Sequence, residues 1–200
     1  MPLRTLFLKG LVPASCLMAS VATASTPDAP ESASLQTPLV SCLLGSSTTT
    51  YNPGLTNTPR DITYRSTTNL PLCLPGRLGL FTSAYADTGN VLRQGLSCLE
   101  LIRPFFATEA TFFWNDGGFS TVSLTQTRVE VEGATTLLIG TGTVTAGRYL
   151  NALATRTLTY ANVDIAQGCL SAEGLKQTTG MATLVLALPS TPVAPPASTP

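Results

Sequence analysis

Along Arg128-Val-Glu-Val-Glu132 charged and apolar side chains alternate, and along Leu138-Ile-Gly-Thr-Gly-Thr-Val-Thr145 the threonines at 141, 143 and 145 share one face with Ile139 while Gly140 and Gly142 take the other. A period of two is the signature of a β-strand with distinct faces. The chain from residue 38 to 188 is crowded with Thr, Val, Leu, Tyr and Phe and poor in Lys and Glu, so strands rather than helices are expected throughout. Strands are predicted near 39–51, 61–68, 77–84, 97–103, 109–115, 119–132, 135–146, 154–161 and 181–188. Turn residues separate them. Asn115-Asp-Gly-Gly118 joins Phe112-Phe-Trp114 to Phe119-Ser-Thr-Val122 as a hairpin, and Glu132-Gly-Ala134 supplies a second. Only residues 164–175 suggest a short helical turn.

Sequential hairpins between long strands imply an all-β fold, an antiparallel meander of about eight or nine strands. Such a meander gains stability by closing into a β-barrel, which is the preferred reading, or by stacking as a two-sheet sandwich. The mid-strand glycines at 140 and 142 favour the barrel, because glycine in a strand marks a bend or a close backbone approach.

The ends differ from this pattern. Residues 1–24 read as a signal peptide: Arg4 and Lys9 precede an apolar run from Leu11 to Val21, which ends in Ala22-Thr-Ala24. A competing reading acylates Cys16, but Pro13 breaks the lipobox pattern and the apolar run continues past the cysteine. Residues 25–37 are a flexible, proline-containing segment and 189–200 a disordered proline-rich tail, leaving 38–188 as a single domain. No later stretch has the roughly 18 apolar residues of a membrane-spanning helix. The expected location is secreted, extracellular or periplasmic.

Export changes the meaning of the cysteines. Four remain after the signal, Cys42, Cys73, Cys98 and Cys169, and an even number in an oxidising compartment reads as two disulfides. Three connectivities are open; Cys42–Cys98 with Cys73–Cys169 is preferred among them. No C-x-x-C spacing and no histidine supports a zinc site, so neither a metal nor a cofactor is expected.

Charge then narrows the chemistry. Removing Arg4 and Lys9 leaves nine bases against eleven acids, a net −2, with the arginines spread singly and no basic stripe for nucleic acid. The absence of histidine excludes the Ser-His-Asp and Cys-His nucleophiles. Asp87-Thr-Gly89 matches the tripeptide of aspartic proteases, although Asp-Thr-Gly-Asn is also a good turn. Glu130 and Glu132 lie on one strand face with Arg128, as a glycosidase-like acid pair or as a solvated face. The turn and the solvated face are preferred, and no catalytic residue is assigned.

The densest apolar group is Phe105, Phe106, Phe112, Phe113 and Trp114, from which Phe105, Phe112 and Trp114 are the candidate ligand-binding residues; core packing is the competing role. The stretches Thr50–Arg60, Trp114–Thr121 and Gly140–Tyr149 resemble motifs of an uncharacterised family of small secreted proteins from high-GC bacteria. The resemblance covers most of the domain, including its cysteines, and implies no activity. The expected function is a non-enzymatic extracellular or cell-envelope binding module, with a saccharide, a lipid or another envelope protein as partner. A structural or surface-coat protein is the alternative, and a carboxylate peptidase or glycosidase the last.

Overall fold

The computed structural model describes residues 37–75, 80–102 and 108–189. The expected signal peptide with Cys16, residues 25–36 of the expected flexible segment, the expected tail beyond 189, Phe105 and Phe106 lie outside the described residues.

Nine strands form, with the expected alternation of inward and outward side chains. They are β1 (Pro38–Leu55), β2 (Arg60–Pro75), β3 (Ala84–Asp87), β4 (Val91–Leu96), β5 (Thr108–Trp114), β6 (Phe119–Glu132), β7 (Thr135–Gly147), β8 (Leu153–Ala161) and β9 (Leu175–Ala187). Every pairing is antiparallel. Neighbours run β1-β9-β8-β7-β6-β5-β3-β2, and β2 pairs back onto β1, closing an eight-stranded barrel with β4 added outside the ring on β2. Closure removes the exposed edges that a sandwich would leave. None of the described helices is long and apolar enough to cross a membrane.

Local chemistry explains the turns and the bend. At the β5–β6 hairpin Gly117 adopts φ 88°, and the Gly118 amide donates to Asp116 Oδ1 at 3.2 Å. The glycine in β7 does what mid-strand glycine suggests: a Cβ on Gly142 would overlap the carbonyl oxygen of Ser123, beside a register shift between β6 and β7. Only glycine lets these two backbones meet.

Three expectations need correction. Of the predicted strand at 97–103, residue 103 lies outside the described residues and 97–102 are not strand: Cys98–Ile102 form a 3₁₀ turn, because Cys98 and Leu101, three apart, point into the same buried cluster. Of the predicted strand at 77–84, residues 77–79 lie outside the described residues, 80–83 are not strand and Ala84 begins the short β3, with β4 following unforeseen. The helical turn lies earlier, as α1 (Asn162–Leu170), so β9 begins at Leu175 and pairs its polar start with β1 through Gln177↔Thr50 and Thr179↔Thr48.

The disulfides also differ from the preferred pairing. Cys42 and Cys73 stand directly opposite each other across β1 and β2, with Cα atoms 4.0 Å apart, and are bonded. Cys98 is bonded to Cys169 at a Cα separation of 6.1 Å, which fastens the 3₁₀ turn to α1. A cross-strand neighbour 31 residues away in a long hairpin wins over a distant partner because the ladder already holds it in reach.

The interior divides lengthwise. One half is packed solid with Phe81, Phe112, Trp114, Val122, Val144 and Leu184 among its residues. The other end is closed by a second cluster, Tyr51, Leu55, Ile62, Leu101 and Leu175 around the Cys98–Cys169 bridge. Between them the barrel is hollow.

Candidate functional site

The hollow is a cavity of about 340 Å³. Its walls follow from strand periodicity. On β8 the inward positions are Ala154, Arg156, Leu158 and Tyr160, and Ala152 precedes the strand, so small residues serve the packed half and larger ones line the hollow. Leu124 of β6 and Leu138 of β7 form an apolar wall with Leu158. Gly140 keeps that wall flat, since a Cβ there would come within 2.9 Å of Leu124 Cδ1.

The facing wall is hydroxylated. Thr49 of β1 and Thr178 of β9, both buried, line it with Ser66 of β2, and Ser47 and Thr68 are buried polar residues of β1 and β2 outside the lining. They satisfy one another: Ser47 Oγ and Thr68 Oγ1 are 3.1 Å apart, Thr49 Oγ1 donates to Ser66 Oγ at 3.0 Å, and the Tyr51 hydroxyl lies 3.3 Å from Thr178 Oγ1. Burial pushes the Tyr51 and Tyr160 phenols above their ordinary range, so both stay protonated.

Arg156 stands at the floor, where hollow meets packed core. Its Nη2 donates to Thr68 Oγ1 at 2.7 Å and weakly to Ser47 Oγ at 3.5 Å, spanning the barrel from β8 to β2 and β1. Its Nε is buried with no partner. Among the described residues the ion pairs are Arg65–Asp87, Arg128–Glu130, Arg148–Asp116 and Lys176–Glu173, and Arg156 belongs to none of them. Burial pulls the guanidinium below its ordinary range, opposed only by the Tyr160 hydroxyl. A cation so placed, without a carboxylate, is rare in a protein interior.

A second recess, of about 310 Å³, adjoins the cavity and shares Tyr64, Thr88, Arg93, Thr108, Glu109 and Ala110 with it. β3 explains it. That strand is four residues long and bridges β2 to β5 only at Thr67–Leu70 and Phe112–Trp114. Past its end, Tyr64, Val91 and Arg93 on one side and Thr108, Glu109 and Thr111 on the other border the recess with no ladder between them. The barrel wall is thinnest there.

The residues singled out from the sequence lie elsewhere. Phe112 and Trp114 are 1% and 2% exposed in the packed half and do not line the cavity. Trp114 stacks on Phe81 at 4.3 Å between centroids and donates from Nε1 to Ser120 Oγ at 3.1 Å. Phe105 is outside the described residues. Phe113, with Tyr85 and Phe119 on neighbouring strands, is exposed on the outer face.

Asp87 is fully engaged as a turn residue. Arg65 Nε donates to both its oxygens at 2.9 and 3.1 Å, Arg65 Nη2 adds a further contact, and the Gly89 amide donates at 2.9 Å. These donors hold its carboxyl well below the usual carboxylate range, where it has no proton to share in a peptidase dyad. Glu130 pairs with Arg128 at 2.8 Å on the outer face. Groups of three or more residues suited to hold a metal do not occur among the described residues.

Arg156, Ser47 and Thr68 escaped sequence reasoning. A signal existed: Arg156 falls in register with Ala154, Leu158 and Tyr160, a lone charge on the apolar face of a strand. Compared with known proteins, the chain matches no family model, no curated protein and no solved structure.

Proposed function

We propose that this chain is an exported, non-enzymatic binding module that holds a small molecule inside its barrel. The observation that carries the reading is the cavity. A core could have been filled throughout, as its other half is, yet here an interior of about 340 Å³ is left open between two packed clusters. Its size lies at the small end of ligand sites, and an apolar wall facing a few polar groups is their usual composition.

Export is supported by the two disulfides, which persist in oxidising compartments. The outward positions of β7 and β8 carry Thr141, Thr143, Thr155, Thr157 and Thr159, while Leu72, Leu74, Leu92, Phe113 and Met181 are exposed on other strands.

Native mass spectrometry of the protein purified from its producing cells tests the reading, with Leu158→Trp as the control that fills the cavity. A small-molecule adduct on the wild type, absent from Leu158→Trp, is expected. A bare wild type that also fails to bind an apolar fluorescent probe overturns it.

A further inference from the structure

An unfilled cavity says little about what enters it; the groups on its walls say more. Arg156 brings one positive charge to the floor of the hollow, and no acidic side chain among the described residues is paired with it. Its two hydrogen bonds to protein, to Thr68 and Ser47, both use Nη2, and both acceptors are neutral hydroxyls. A buried charge without a counter-charge is costly unless an anion completes it.

The remaining walls limit the anion. Leu124, Leu138 and Leu158 offer an apolar surface, which a small inorganic ion would leave uncovered. The lining also carries Arg93, Glu100 and Glu109, but none of them acts on Arg156, so one cation without a paired carboxylate matches one negative charge at that point, and a guanidinium recognises a planar carboxylate well. We propose that the cavity binds a carboxylate amphiphile, an organic acid whose head group pairs with Arg156 and whose apolar chain lies against Leu124, Leu138 and Leu158. The inference rests on the cavity being a ligand site. The recess past the end of β3, bordered by Arg93, Asp87 and Glu109, is its entrance.

Isothermal titration of the whole protein with decanoate and with decanol, which share a chain length and differ in charge, tests the assignment. Wild type is expected to bind decanoate at least tenfold more tightly than decanol. Arg156→Met should reduce decanoate affinity at least tenfold and leave decanol unchanged, while Arg156→Lys should restore part of the preference. Equal binding of the two compounds by wild type overturns the carboxylate assignment and leaves the cavity reading standing; binding of neither overturns the cavity reading as well. Should Arg156→Met fail to fold, the wild-type preference and its reduction in Arg156→Lys still decide the matter.

Discussion

A residue kept for a ligand should be a burden to the empty protein, and Arg156→Met measures that burden. Desolvating a guanidinium costs several kcal/mol even after relaxation, and here no opposite charge offsets it. The compensation is one good charged hydrogen bond, to Thr68 at 2.7 Å, and one marginal bond, to Ser47 at 3.5 Å. Together these recover about 2–3 kcal/mol. Removing them leaves no orphan, because Ser47 and Thr68 already lie 3.1 Å apart and Ser47 Oγ also donates to the Thr67 carbonyl at 3.3 Å. Methionine keeps much of the volume and adapts to the wall. The ligand-free protein should therefore gain about 1–3 kcal/mol, within the range seen when buried charges are replaced by apolar residues. Urea unfolding at neutral pH would show it as a rise in midpoint at constant slope. A loss of 1 kcal/mol or more would refute the reasoning, since it would make the guanidinium a net stabilising part of the fold.

Other consequences follow from the same geometry. Gly142→Val should abolish folding, because its side chain would occupy the space of the Ser123 carbonyl; circular dichroism and solubility report on this. Trp114→Ala should cost about 3–5 kcal/mol in urea unfolding and leave decanoate binding intact, as the indole packs in the solid half. Cys98→Ser with Cys169→Ser should lose about 4 kcal/mol by the chain-entropy estimate for a loop of 71 residues and raise ligand off-rates, as the turn and helix that close the cavity's end come apart. Asp87 and Asp116 have lowered carboxyl pKa values, so the stability they supply is complete above about pH 4 and is lost as pH falls through the lowered values. With no histidine in the chain, thermal unfolding should be flat from about pH 5 to 8, and Asp87→Asn should shrink the acid loss.

The architecture was legible in the sequence where two-residue alternation and turn chemistry coincide. β6 matches its predicted range, and β5, β7 and β8 match theirs within a residue, because Asn115-Asp-Gly-Gly118 and Glu132-Gly-Ala134 fix the hairpins beside them. The choice of barrel over sandwich came from Gly140 and Gly142, whose close approaches are real. What failed was less local. Leu99 and Leu101 look like alternating strand residues, but Cys98 and Leu101 share a buried face only in a 3₁₀ turn, and the disulfide partner of Cys98 lies 71 residues away. The polar start of β9 carries no apolar alternation; it is a strand because β1 needs a partner there. The candidate site was missed for a related reason. Aromatic density drew attention to Phe112 and Trp114, which fill the core, whereas a cavity is a property of how eight strands leave space around Leu124, Leu138 and Leu158. Only the placement of Arg156 among inward-facing residues was there to be read.

The central claim is that the hollow half of the barrel holds a ligand. Its most direct test is isotope-filtered nuclear magnetic resonance on the methyl-labelled protein, titrated in turn with decanoate and decanol. The account predicts contacts between ligand methylenes and the methyl groups of Leu124, Leu138 and Leu158, with those of Val122, Val144 and Leu184 in the packed half unaffected. Contacts confined to outward-facing residues, or none at saturating concentration, would contradict it.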